Sequence, residues 1–214
     1  GWLSKKFDFQ RLLSLRCPDI VCICETKLSA DISDEALLVS NEYFIFRKDR
    51  DRRGGGVAVL VKKCFSVSQL GFNIHFRSEM VCVDISARHQ SFVLAVVYRS
   101  PGNYGTLSDV LADVLLLPVD KNVVVCGDFN MPDTDWRFLC SHVLQQQNFA
   151  IEMSSNGFNQ IVDMCTRFDP PYVLDLIFTT STEFIKFCSV DAPVGNSDHG
   201  CLFAKLNLSA DSLK

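Results

Sequence analysis

The stretch Val123-Val124-Val125-Cys126-Gly127-Asp128-Phe129-Asn130-Met131-Pro132 decides how this chain is read. Three valines and a cysteine make a short apolar strand, and the Gly, Asp, Asn and Pro that follow end it. A carboxylate and an amide therefore stand where a strand stops. The same arrangement recurs along the chain. Glu25 ends Ile20-Val21-Cys22-Ile23-Cys24, Tyr98 ends the run 92–98, and Asp198-His199 come just before Cys201-Leu202-Phe203. If these strands are neighbours, their polar ends converge on one rim. A carboxylate cluster there would hold Mg2+ or Mn2+, because hard cations take oxygen ligands. Asp175 lies inside Tyr172-Val173-Leu174-Asp175-Leu176-Ile177-Phe178. A carboxylate within a strand is costly unless paired, and His199 is its natural partner.

Each residue also has a plainer reading. A lone Glu25 is an ordinary turn residue, and Asp128-Phe129-Asn130 also fits an Asx turn. Asp198-His199 fits a cap with a satisfied histidine, and Tyr98 a core tyrosine with its hydroxyl at the surface. Arg47, Arg50, Arg52 and Arg53 fit a solvated loop.

Working outward, strands are predicted over 19–24, 43–46, 57–61, 81–85, 92–98, 123–126, 173–178, 184–190 and 201–206. Helical spacing appears in three places. Leu3, Phe7, Leu12 and Leu15 are expected to line one face of an N-terminal helix. A second helix follows Thr106 through Leu107, Val110, Leu111, Val114 and Leu115. A third, with Phe138, Leu139, His142 and Val143, is expected after a cap at Asp133 or Thr134. Two sheets with helices outside them is the simplest packing.

Nothing in the composition opposes this. The 214 residues are 48% apolar and 21% charged, with 7 Pro and 11 Gly, which excludes disorder, collagen-like repeats and coiled coil. No repeat or linker divides the chain, so residues 1–214 are expected to form a single domain. The net charge of −4 supplies no general attraction for polyanions, so any nucleic acid must be met by a local patch. Ten Cys without a C-x-x-C pair, most of them in apolar runs, read as small core residues in a reducing, intracellular setting. No apolar stretch approaches the ~20 residues that span a bilayer, so no membrane is expected as a partner. Gly1-Trp2-Leu3-Ser4-Lys5-Lys6 has no continuous apolar core, so it does not read as a signal peptide.

Taken in order, five short motifs are more specific than any one residue. Cys24-Glu25-Thr26, Val97-Tyr98-Arg99-Ser100-Pro101, Gly127-Asp128-Phe129-Asn130-Met131-Pro132, Leu174-Asp175-Leu176-Ile177-Phe178 and Asn196-Ser197-Asp198-His199-Gly200 resemble the active-site motifs of the endonuclease/exonuclease/phosphatase superfamily. A narrower likeness runs from about Lys5 to Leu208. The segment from Gly127 to Trp136, the Gly54-Gly55-Gly56 approach to a strand, and Thr166-Arg167 ahead of Asp175 look like the endonuclease domain of non-LTR retrotransposons of the CR1 or jockey type. The resemblance implies an α/β fold, a two-sheet sandwich like DNase I and the abasic-site endonucleases.

It also implies roles. Glu25 would be the principal ligand of Mg2+ or Mn2+, with Asp198 contributing at the same rim. Asp128 would orient or deprotonate the attacking water, and Asn130 would hold a phosphate oxygen or that water. His199, hydrogen-bonded to Asp175, would stabilise the pentavalent phosphate, and Tyr98 would donate to phosphate or assist the leaving group. DNA contact is expected from the 47–53 loop, Arg53 above all, and from Arg99 and Arg167, because Arg neutralises phosphates without reading sequence.

Two departures stand out. The family opens with a strand ending in a rim Asn, and registering on Lys6-Phe7-Asp8 places that Asn upstream of Gly1. The sandwich is therefore expected to lack its first strand, as an N-terminally truncated domain. After Tyr98, where many members carry an Asn, this chain has Arg99-Ser100-Pro101-Gly102-Asn103, so Arg99 substitutes or Asn103 reaches in. The leading expectation is a metal-dependent DNA endonuclease that nicks one strand for target-primed reverse transcription. A reverse transcriptase domain would be its partner and the nucleus its place of action. The competing readings are a phosphodiesterase or phosphatase of the same fold acting on small or lipid phosphate esters, and an inactive truncated copy.

Overall fold

The computed structural model describes residues 2–34, 41–50, 54–70, 76–87, 90–101, 106–118 and 120–208. In chain order its strands are β1 (Ile20–Cys24), β2 (Tyr43–Lys48), β3 (Val57–Lys62), β4 (Ser66–Leu70), β5 (Glu79–Ala87), β6 (Gln90–Tyr98) and β7 (Asn122–Asp128). They continue with β8 (Thr134–Asp135), β9 (Cys140–Ser141), β10 (Asn159–Gln160), β11 (Arg167–Phe168), β12 (Pro171–Tyr172), β13 (Asp175–Thr179), β14 (Ile185–Asp191) and β15 (Cys201–Leu206). The α-helices described are α1 (Lys6–Arg16), α2 (Leu107–Val114) and α3 (Leu144–Ser155).

The larger sheet has six strands in the order β10-β13-β7-β6-β5-β4, and a second has β1-β3-β2. The central pair β6 and β7 runs parallel, while their other neighbours are antiparallel. A parallel pair needs a crossover, and α2 provides it. Thr106 starts that helix with a capping box, its side chain accepting from the Asp109 N–H while the Asp109 side chain accepts from the Thr106 N–H. Strands buried on both faces read as unbroken apolar runs, which is why residues 92–98 contain no polar residue before Tyr98.

Period-two alternation sorts these strands into layers. Phe92, Leu94, Val96 and Tyr98 of β6 face an inter-sheet core with Val57, Val59 and Val61 of β3. Val93, Ala95 and Val97 face the opposite way, onto Val110 and Val114 of α2 and Phe149 and Met153 of α3. Beyond the smaller sheet, Trp2, Leu28, Tyr43 and Leu60 make a third core with Phe9 packed against it. Each fully buried aliphatic or aromatic side chain contributes roughly 1.5–3 kcal/mol relative to exposure. The layers are the expected two-sheet α/β sandwich.

Three local expectations are corrected. The N-terminal helix forms, but Phe7 is 84% exposed and α1 buries no residue, so its apolar positions do not make the expected face. Residues 133–143 are not helical. Asp135 Oδ1 accepts from the Arg137 and Phe138 N–H groups, Leu139 adopts a left-handed φ of 51°, and the segment closes as the β8–β9 hairpin with Phe138 exposed. The helix follows instead at α3, where Phe149, Ala150 and Met153 provide the buried face. Strand β4 escaped the apolar pattern because Ser66, Ser68 and Gln69 are polar edge residues.

Among the described residues, β1 pairs on one side only, with β3, and β15 only with β14. Neither strand buries a residue completely. Arg16 forms an ion pair with Asp191 at the end of β14 and stands over the Phe203 ring of β15.

Candidate active site

The site is built from one end of the larger sheet. In register, Glu79 lies opposite Tyr98, Tyr98 beside Asp128, and Asp128 opposite Asp175. Four neighbouring strands thus place one residue each in a row. Alternation settles which way they face. Val81, Val96, Cys126 and Ile177, two residues along each strand, all point into the inter-sheet core, so the row occupies its rim.

The turn after β7 is made by its own residues. Gly127 has φ of +141°, and a Cβ there would run into the Val97 carbonyl of the adjacent strand. Only glycine allows β7 to lie this close while delivering Asp128 to the rim. Asp128 Oδ1 then accepts from the Asn130 N–H at 3.0 Å, so the Asx turn is real and it is also what orients the carboxylate. Asn130 has φ of 49° and its amide donates to the Arg99 carbonyl at 2.6 Å. Arg99 Nη1 in turn donates to the Phe129 and Asn130 carbonyls at 3.0 and 2.9 Å. Arg99 is thus turned onto the Asp128 loop.

The expected pair forms: His199 Nδ1 lies 2.7 Å from Asp175 Oδ2. Buried Thr166 holds both halves of it. Its Oγ1 accepts from the Leu174 and Asp175 N–H groups at 3.0 and 2.9 Å, and its carbonyl accepts from the Gly200 N–H at 2.7 Å. Arg167 bridges by backbone to His199, and its Nε lies 3.1 Å from Asp198 Oδ2. In the sequence Thr166 carries no signal beyond its place with Arg167 ahead of Asp175.

The electrostatics follow from this crowding. Burial, then the Asp175 charge, pushes the Asp128 carboxyl up to about 7, opposed by His199 and raised further by Glu25. The Asp175 hydrogen bond raises His199 above its ordinary value, against the effect of its own burial. Burial and then Glu25 push the Tyr98 phenol up to about 12, so it stays a neutral donor. Glu25 therefore lies near enough to be felt by Asp128 and Tyr98.

Among the described residues, Asp128, Asp175 and His199 offer ligand atoms within 4.8 Å of one another. Glu25, 3.2 Å from Lys27, and Asp198, paired with Arg167, are outside that group. Two close carboxylates with Glu25 beside them carry more negative charge than His199 balances, which fits a divalent cation and its preference for oxygen ligands. Arg53 and Asn103 lie outside the described residues. Of the rest of the basic loop, Arg47 pairs with Asp34 at 3.1 Å and Arg50 with Glu79 at 2.7 Å.

Raised Asp128 and His199 make the metal-free fold lose stability as pH rises. Above the ordinary carboxylate range and up to about pH 7, the folded chain holds a proton at Asp128 that the unfolded chain has released. His199 adds stability that is complete below its ordinary value and lost as pH climbs through its raised one. Melting in EDTA is therefore expected at lower temperature at pH 8 than at pH 6, with a smaller difference in Asp128→Asn. An equal pH slope in wild type and variant would remove Asp128 as its source.

Comparison with known proteins agrees with this fold. Residues 5–199 match the Endonuclease/Exonuclease/phosphatase family. Among solved structures, the endonuclease domain of TRAS1, a telomere-specific non-LTR retrotransposon, superposes with a TM-score of 0.74 at 15% identity, covering 97% of this chain and 93% of that one. The 3'-5' exonuclease NExo from Neisseria meningitidis gives 0.68 at 17% identity, covering 96% of each chain. An AP endonuclease from Archaeoglobus fulgidus gives 0.64 at 17% identity and 92% of each. Comparison with curated proteins gives no match. With the family matched over nearly the whole length, and with the fold and a carboxylate–histidine rim to go with it, this chain belongs to the endonuclease/exonuclease/phosphatase family.

Proposed function

We propose that this chain is a divalent-metal-dependent DNA endonuclease that nicks one strand, in the setting of retrotransposon target-primed reverse transcription. The observation that supports it most is the row Tyr98, Asp128, Asp175 on three adjacent strands, with His199 bonded to Asp175. Phosphodiester hydrolysis needs a positioned base for water, donors for the charge that builds on phosphate, and a cation. The row and His199 offer a candidate base and candidate donors, and the carboxylates at the same rim could hold the cation.

With its Nδ1 engaged by Asp175, His199 presents Nε2 to the substrate as a cationic donor. Asp128, raised to about 7, is poised near neutrality to take a proton from water. Asn130, fixed by its own turn, holds that water or a phosphate oxygen, and Tyr98 donates its phenolic hydrogen. Glu25 would be the principal ligand for Mg2+ or Mn2+, with Asp198 at the same rim, and the cation would withdraw charge from the scissile phosphate. Arg167, partly exposed beside Asp198, is the described arginine best placed for a DNA phosphate. A reverse transcriptase domain is the proposed partner, and the nucleus the proposed place of action.

The test is nicking of supercoiled plasmid with Mg2+, with EDTA and with His199→Ala. Open circles that vanish in EDTA and in the variant are expected, with a rate falling steeply as salt rises. Intact plasmid alongside hydrolysis of small phosphate esters would move the reading to a phosphatase of the same fold. No turnover of either substrate by a folded chain would leave an inert member of the family.

A further inference from the structure

Glu79 takes no part in the chemistry above, yet it stands in the rim row opposite Tyr98. Its Oε1 accepts from Arg50 Nη1 at 2.7 Å and its Oε2 from the Gly56 N–H at 2.6 Å. Arg50 Nε donates to the Gly54 carbonyl at 2.9 Å. Glu79 and Arg50 together therefore grip residues 54 and 56 from the same side. The turn they grip needs gripping. Gly55 and Gly56 have φ of +73° and +85°, and a glycine turn loses more chain entropy on ordering than any other.

The turn then holds the chain around Glu25. The Gly56 carbonyl accepts from the Thr26 N–H at 3.1 Å and the Gly55 carbonyl from the Lys27 N–H at 2.9 Å. Glu25 and Lys27 both have φ of +54°, left-handed backbone that persists for such residues only where neighbours over-determine it. The two glycine carbonyls are among those neighbours, with the Trp2 N–H, which donates to the Thr26 carbonyl at 3.0 Å. The base of the arrangement is rigid as well. Buried Asp113 accepts from the Arg77 and Ser78 N–H groups and from the Ser78 hydroxyl, at 3.1, 2.7 and 2.6 Å. Lys48 Nζ donates to the Phe76 and Ser78 carbonyls at 3.0 and 2.8 Å. Glu79 thus projects from a fixed backbone.

We infer that Glu79 and Arg50 are positioning residues that lock the glycine turn and, through its bonds to Thr26 and Lys27, set where the Glu25 carboxylate stands at the rim. This rests on the reading of Glu25 as a metal ligand. Residues that orient a ligand without touching the ion typically change metal affinity by about 10–100-fold when removed.

The experiment titrates the folded chain with Mn2+ and follows free Mn2+ by its paramagnetic resonance, so it needs no turnover. Glu79→Ala is expected to weaken Mn2+ binding about 10–100-fold. Glu79→Gln, which keeps an oxygen for the Gly56 N–H, should weaken it less, and it replaces the alanine variant should that fail to fold. The deciding comparison is with Glu25→Gln. If Glu79 acts through Glu25, adding Glu79→Ala or Glu79→Gln to Glu25→Gln costs nothing further in affinity. Equal losses with and without the Glu25 carboxylate overturn the inference, as does a Glu79 variant with a lowered melting temperature and wild-type Mn2+ affinity. Wild-type affinity in Glu25→Gln removes the metal assignment itself and the inference with it. Weak binding in Glu25→Gln beside normal binding in both Glu79 variants removes the inference alone.

Discussion

Asp128→Asn is expected to cut the rate of plasmid nicking by about 10²–10⁴-fold while leaving the fold and the affinity for DNA close to wild type. The substitution is nearly isosteric, and its Oδ1 still accepts from the Asn130 N–H, so the Asx turn that shapes the loop survives. What it removes is the capacity to take a proton. That capacity is tuned by place: burial and the neighbouring Asp175 raise the Asp128 carboxyl to about 7, where an ionised form capable of accepting a proton exists near neutral pH. On the acid side the wild-type rate should rise with pH as Asp128 ionises, and the variant should lose that limb. Rates measured from pH 5.5 to 9 at saturating Mg2+ decide it. A variant within tenfold of wild type, with the acid limb intact, would assign proton transfer to another group.

Gly127→Ala should be the most damaging single substitution to the fold. Its Cβ would strike the Val97 carbonyl oxygen and lie 2.8 Å from the carbonyl carbon, on the neighbouring strand at the centre of the larger sheet. The obstacle is backbone, so no rotamer change relieves it, and a φ of +141° is itself closed to alanine. A loss above about 4 kcal/mol is expected, large against the roughly 5–15 kcal/mol that holds a domain together. Urea denaturation with Gly157→Ala as control separates the two causes. Gly157 also has positive φ, but a Cβ there meets nothing within 4 Å, so it should cost only the left-handed strain of about 1–2 kcal/mol. Equal losses at the two positions would show that strain, and not the approach of β6 to β7, sets the cost at Gly127.

Legibility in the sequence followed the strength of local constraint. Strands buried on both faces, such as β6 and β7, were readable because their central positions form unbroken apolar runs. The Asp175–His199 pair was readable because a carboxylate among apolar residues demands a partner, although Asp175 opens β13 at the rim and does not lie inside the expected 173–178 strand. The helix expected over 138–143 was misplaced because Phe138, Leu139 and Val143 at helical spacing look alike whether or not a turn separates them. Asp135 and the left-handed Leu139 made the turn. Glu79 belongs to none of the five motifs, and only the antiparallel pairing of β5 with β6 brings it to the rim beside Tyr98.

By itself the sequence determined which runs are apolar and which polar residues stop most of them. Alternation, apolar runs and the residues that stop them are local properties, and local physics suffices to read them. The tertiary structure alone decided the groupings: Asp128 with Asp175 and His199, Asp198 with Arg167, Arg99 on the Asp128 loop, and Glu79 with Arg50 around the glycine turn. Those depend on strand order and register, which join residues up to 71 positions apart, such as Asp128 and His199, and no local pattern encodes a distance across two sheets.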